Sequence, residues 1–232
     1  YWLTQSCPTG HGSVGCPPGT LANNFWPAFG NTLFFTLVTV LLETILGIGM
    51  ALVMAKDFHG RGLLRAAVLV PWAIPTAITA KLWAFLFSEQ GIVNSIFHAH
   101  VAWQTDPWAA RFSIILADVW KTTPFMALLI LAGLQMIPKD LYEAARMDGA
   151  NAWQRFTRIT LPLAKNSIIV AVLFRMLDAL RMYDLPYIMV GPNPDSPTAT
   201  LSQLVVAAIR QDHVNAASAL STLIFLLIFL IA

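Results

Sequence analysis

Eight ionisable residues stand inside long apolar runs of this 232-residue chain: Glu43, Lys81, Asp118, Lys121, Arg175, Asp178, Arg181 and Asp184. On insertion scales each costs roughly 2.5–3.5 kcal/mol at the centre of a membrane-spanning helix. Such groups face a bundle interior or an aqueous cavity, where their chemistry is ion pairing or hydrogen bonding to a polar ligand. Asp118 and Lys121 are three residues apart, as are Arg175 and Asp178, and Asp178 and Arg181, a spacing at which helical neighbours can pair.

The group Arg175–Asp184 is the densest. Each step of three residues advances about 300°, so successive charges drift about 60° and sweep half the helix circumference. A regular, lipid-facing helix cannot hide all four. Pro186 clashes with the carbonyl four residues earlier, so the helix is expected to break near Met182–Pro186. Irregular backbone at membrane depth is tolerated where it lines a water-filled cavity. Arg175, Asp178, Arg181, Tyr183 and Asp184, with Tyr187 beside them, are therefore a candidate path for a polar substrate. The other reading stays open: these charges are helix-to-helix pairs, with Asp184 at the outer interface.

Other chemistries are poorly supported. Gly10–Gly15 matches G-x-G-x-x-G but follows no apolar strand and precedes Cys-Pro-Pro instead of a helix, so the nucleotide-binding context is missing. His98 and His100 lack a third ligand, and no metal site is expected. No Walker A loop and no paired nucleophile and base occur, so the chain is not expected to hydrolyse ATP itself. Cys7 and Cys16 lie close together in a Gly/Pro/Ser-rich segment and are read as a possible disulfide, or as two free thiols.

These residues need elements to hold them. The chain is 57% hydrophobic and 11% charged, against about 25% charged in soluble domains, so an all-α integral membrane protein is expected. A bilayer core takes about 20 apolar helical residues. Asn31–Ala55, Gly62–Ser88, Phe112–Ile137, Pro162–Val190 and Ala216–Ala232 meet this, the last running to the end of the sequence as if cut short. Pro71 and Pro75 are expected to interrupt the second span and Pro124 the third. Residues 1–30 are expected to form an irregular extracytoplasmic segment, and residues 31–232 the transmembrane domain.

Orientation follows from basic residues. One set of connections holds Lys56, Arg61, Arg65, Lys139, Arg146, Arg155, Arg158 and Lys165; the other holds Arg111 and Arg210, and residues 1–30 hold none. The richer side is expected to be cytoplasmic. It includes the loop 138–161, a polar, small-residue segment between two apolar runs. Pro138 suits the start of a helix, Lys139–Asp148 is helix-forming, Gly149 permits a left-handed turn, and Asn151 is a fitting N-cap for a second short helix, Ala152–Arg158. Leu141, Tyr142, Trp153 and Phe156 are apolar residues unusual in a solvated loop. They are read either as knobs for a partner's cleft or as side chains lying on the membrane surface.

Glu143, Ala144 and Ala145, three residues, Gly149, nine residues, Ile159, one residue, then Leu161 and Pro162 match the EAA loop of ABC-importer permeases at seven positions over twenty residues. With Trp120–Phe125 before it and Leu173–Arg175 through Asp184–Pro186 after it, the chain resembles MalF-type permeases of bacterial carbohydrate ABC importers. The stretch 177–181 resembles the SugA-like trehalose permease subtype. The resemblance implies a polytopic helical bundle of the type I ABC-importer permease kind, multi-pass in the bacterial cell membrane. It implies import of a sugar, a disaccharide such as trehalose or maltose, by alternating access. Glu143, Ala144, Ala145, Asp148, Gly149, Ile159, Leu161 and Pro162 would couple that motion to an ATPase. Implied partners are a second permease subunit in a heterodimer, an ATPase dimer carrying ATP and Mg, and an extracytoplasmic sugar-binding protein. No nucleic acid partner and no cofactor on this chain are expected. A secondary transporter using its buried charges as an ion relay is the alternative.

Overall fold

The computed structural model describes residues 6–9, 12–15, 20, 22–98 and 100–231. Strands β1 (Ser6–Thr9) and β2 (Gly12–Gly15) pair antiparallel. The helices are α1 (Phe25–Ala55), α2 (Arg61–Ala73), α3 (Thr76–Leu86), α4 (Ile92–Phe97), α5 (Pro107–Gln135), α6 (Lys139–Met147), α7 (Ala152–Arg155), α8 (Leu161–Ala179), α9 (Asp184–Met189), α10 (Leu201–Arg210) and α11 (Val214–Ile231). A π-helical turn, Phe156–Thr160, joins α7 to α8. Among the described residues, four helical stretches are long and apolar enough to cross a membrane, or five if the bent pair α2 and α3 is one span.

Several boundaries differ from those expected. Residues 1–30 are not irregular throughout, since they contain the β1–β2 hairpin and the first turns of α1. The helix starts at Phe25, ahead of Asn31, because Phe25 and Ala28 are buried against Leu201, Leu204, Ala217 and Leu220. The second span is broken at Ile74–Pro75, but Pro71 lies inside α2. Pro124 lies inside an unbroken α5. Proline removes one hydrogen bond from a helix, and the rest of a 29-residue helix carries across that gap. The connection after α3 holds α4, and that after α9 holds α10. Thr200 and Gln203 close a capping box at the start of α10.

The expected second short helix of the loop 138–161 does not end at Arg158. It runs on through the π turn into α8, giving one helical stretch, Ala152–Ala179. Pro162 is accommodated there because its ring opposes the carbonyl of Arg158, inside the wider π turn where the i→i−4 ladder is already interrupted. The expected break before Pro186 is present. The backbone leaves the helix after Ala179 and re-enters it at Asp184. Pro186 sits in the first turn of α9, where its missing N–H has no intrahelical acceptor to lose.

The helices form two compact units. The first holds the described residues up to Thr39, with Pro75–Asp118 and Leu177 onward. Its core has two clusters: Phe25, Leu201, Leu204 and Leu220 in one, and Phe35, Phe87, Ile114, Met182 and Leu185 in the other. The second unit holds Val40–Ile74 and Val119–Met176. Its core is Ala51, Met54, Met126, Ala127, Ile130, Leu131 and Ala171. Small residues bring these backbones close, as is usual where lipid removes the hydrophobic drive for helix pairing. A Cβ on Gly47 would stand 3.1 Å from that of Met126, and one on Gly133 would overlap the side chain of Ser167.

Candidate functional site

In the second unit the segment from Pro138 to Pro162 has a defined geometry. Pro138 is extended and α6 follows it, with Asp140 in the first turn and Arg146 in the last, each matched to the helix dipole. The helix closes in a Schellman arrangement. Ala150 N–H donates to the carbonyl of Ala145 at 2.9 Å, and Gly149 N–H to that of Arg146 at 3.1 Å. Gly149 sits at φ +78°, where a β-carbon is resisted. The interval between Ala145 and Gly149 is thus that of the closing turn. Asn151 then caps the next helix reciprocally: Gln154 N–H donates to Asn151 Oδ1 and Asn151 N–H to Gln154 Oε1, both at 2.8 Å.

Two contacts hold α6 in place. The Tyr142 hydroxyl lies 3.0 Å from Thr160 Oγ1 of the π turn. Lys139 Nζ donates to Asp57 Oδ2 at 2.9 Å, and Arg61 pairs with the other Asp57 oxygen. The hydrogen bond and charge of Lys139, then the charge of Arg61, hold the Asp57 carboxyl below its ordinary range. Glu143, Ala144, Asp148, Leu161 and Pro162 are exposed, while Ala145 and Ile159 are half-buried. Leu141, Met147 (87% exposed) and Trp153 (70% exposed) form exposed apolar knobs. Tyr142 and Phe156 are half-buried, and Phe156 is tilted against Trp153 at 5.7 Å. Met147 was missed in the sequence because the apolar pattern of so short a helix does not show which face is covered.

The charges inside the spans of this unit meet partners on other elements. Arg175 (2% exposed side chain) and Glu43 (0%) pair through Nε–Oε2 at 2.5 Å and Nη2–Oε1 at 3.0 Å. Thr122 Oγ1 donates to Glu43 Oε1 at 2.5 Å. Lys121 is buried and donates to the carbonyls of Ile74 at 2.7 Å and Trp72 at 3.4 Å. Those carbonyls end α2, where the break at Pro75 leaves them without intrahelical donors, and a cation also suits the helix C-terminus. Trp72 and Phe125 stack at 5.7 Å alongside. Arg175 pairs with Glu43, 132 residues away in sequence.

The five residues expected to line a substrate path are therefore divided. Arg175 belongs to the second unit and to the buried pair. Asp178, Arg181, Tyr183 and Asp184 belong to the first unit, where the three charged residues are exposed and Tyr183 is half-buried. Tyr183 stacks on Tyr187 at 4.9 Å, and the Arg210 guanidinium lies 5.1 Å over the Tyr187 ring. Lys81 is exposed on α3, and Asp118 is buried on α5. Cys16 lies outside the described residues, as does the side chain of Cys7, so the disulfide reading does too. Among the described residues no group of three His, Cys, Asp or Glu side chains is placed to hold a metal.

Residues 43–232 match the family described as "Binding-protein-dependent transport system inner membrane component". The chain is 46% identical over 212 residues to the trehalose/maltose transport system permease protein MalF of Thermococcus litoralis, covering 89% of this chain and 72% of that one. It is 40% identical over 203 residues to the trehalose transport system permease protein SugA of Mycobacterium tuberculosis, covering 87% and 66%. The fold is similar to a chain of a bacterial alginate ABC transporter solved with an alginate pentasaccharide-bound periplasmic protein. That similarity has a TM-score of 0.81 and 26% identity over 90% of this chain and 75% of that one. The helical bundle is thus of the ABC-importer permease type. The chain belongs to the family of binding-protein-dependent transport system inner membrane components.

Proposed function

We propose that this chain is the permease subunit of an ATP-driven importer for a sugar, a disaccharide such as trehalose or maltose. The observation that carries the reading is α6: a short helix closed by Gly149 at φ +78°, presenting Leu141 and Met147 outward beside Glu143. A helix anchored through Lys139 and Tyr142, with Leu141 and Met147 standing free, suits the cleft of a moving partner. The partner is an ATPase dimer on the cytoplasmic side, which carries ATP and Mg. A second permease subunit completes the sugar path, and an extracytoplasmic binding protein delivers the cargo. The names of the relatives support the sugar class.

In this reading ATP-driven closure of the ATPase pushes α6, and the continuous helical stretch Ala152–Ala179 transmits the motion. Tyr142 to Thr160 and the Asn151–Gln154 capping box make the lever stiff. The break at Leu180–Tyr183 exposes Asp178, Arg181 and Asp184 to the sugar path, where charged side chains make strong hydrogen bonds to hydroxyls. An ion relay is not favoured, since Glu43 and Arg175 neutralise each other.

The test is uptake of labelled trehalose and maltose by proteoliposomes containing the whole complex and its binding protein. Uptake should require internal ATP and survive an uncoupler. Uptake that persists without ATP and collapses with the uncoupler overturns the proposal.

A further inference from the structure

An apolar groove of about 390 Å³ runs along α1 and α2 in the second unit, lined among others by Ile45, Gly49, Met50, Val53, Leu64 and Val68. Gly49 opens it, for a Cβ built there meets nothing within 4 Å. Ile45 to Val53 spans eight residues, about 12 Å of helix. Two cations stand next to Met54, a lining residue at one end of the groove. Arg65 Nη2 donates to the carbonyl of Met54, itself a lining residue, at 2.7 Å. Arg65 Nε is buried with no partner. Lys56 is exposed two residues beyond Met54. Asp57 is the acid of this corner, and it is already held by Lys139 and Arg61.

We propose that this groove is a binding site for an anionic phospholipid. One acyl chain lies along Ile45–Val53, and the phosphate meets Arg65 and Lys56. Two arguments choose lipid as the occupant. The groove is apolar along its length and cationic only at one end, which is the charge pattern of an anionic lipid. An apolar helix would fill the groove but offer no acceptor to the Arg65 guanidinium or the Lys56 ammonium, which a phosphate oxygen does. The groove shares no lining residue with the proposed sugar path or with α6.

The assembled complex should be placed in nanodiscs of phosphatidylglycerol and phosphatidylcholine, with a tracer phosphatidylglycerol that carries a diazirine on its acyl chain. Light should attach the tracer to peptides containing Met50 or Val53, and excess phosphatidylglycerol should compete better than phosphatidylcholine. Gly49→Leu fills the groove outward and should reduce the labelling at least tenfold, while Gly49→Ala leaves it. Arg65→Gln should abolish the preference for phosphatidylglycerol, and Arg65→Lys should retain much of it. Labelling spread evenly over the exposed faces of the helices overturns the proposal. So does a Gly49→Cys variant that cross-links to a second permease subunit instead of accepting lipid.

Discussion

Arg175 meets Glu43 from 132 residues away, with Nε–Oε2 at 2.5 Å and Nη2–Oε1 at 3.0 Å, and both side chains are buried. The pair joins the middle of α1 to α8, the helix that continues from the loop. Thr122 adds a third bond from α5. Removing one partner strands the other, at a cost of about 3–5 kcal/mol. Arg175→Met and Glu43→Leu should each reduce the yield of assembled complex in size-exclusion chromatography. The double variant should recover a large part of it. Single variants that assemble like wild type would contradict this account of the pair.

Gly149→Val tests the turn at the end of α6. A Cβ there has open space around it, so the penalty comes from the backbone alone, about 1–3 kcal/mol of strain at φ +78°. The protein should insert and assemble. ATPase stimulation by the loaded binding protein and sugar uptake should both fall severalfold. Full stimulation with full uptake would show that the turn is not needed for coupling.

Asp57 and Lys139 hold the start of α6 to the connection after α1. The folded carboxyl is depressed below 3.8, so its contribution is present above that value and lost only as pH falls through the lower folded value. The contact is therefore complete at neutral pH. Asp57→Asn should speed amide hydrogen exchange in Lys139–Met147 at pH 7 and change exchange in α5 little. The difference between variant and wild type should vanish as the pH approaches that of the protonated carboxyl. A pH-independent difference would assign the effect to something other than the charge.

The loop 138–161 was readable because its signals are local. Asn151 and Gln154, Ala145 and Gly149 act within a turn of each other, and their spacing in sequence is their spacing in space. The charges in the spans were readable as a demand for partners, but not as pairings. Glu43 gives no local clue that Arg175 will satisfy it, and Lys121 goes to backbone carbonyls that exist as acceptors only because α2 breaks at Pro75. Proline positions were read too uniformly. Pro75 and Pro186 accompany breaks, whereas Pro71 and Pro124 lie inside helices, because one missing hydrogen bond does not end a helix whose other turns keep theirs. The start of α1 at Phe25 was set by packing, and the continuation of the helix beyond Arg158 by the π turn, which a hydropathy pattern does not carry.

Asp178 and Arg181 are the most informative residues to change for the proposed sugar path. Both are exposed, unlike Arg175, so a salt bridge between them would add only about 0–1 kcal/mol. A structural role of that salt bridge alone would therefore leave little trace. If the pair faces the sugar, Asp178→Asn should lower uptake at least tenfold while basal ATPase activity and assembly persist. The double change Asp178→Leu with Arg181→Leu should assemble, hydrolyse ATP and carry no sugar. A double variant that transports at the wild-type rate removes both residues from the path. Arg175→Met is the contrasting control: its defect should appear first in assembly, because it takes the guanidinium away from the buried Glu43 carboxylate.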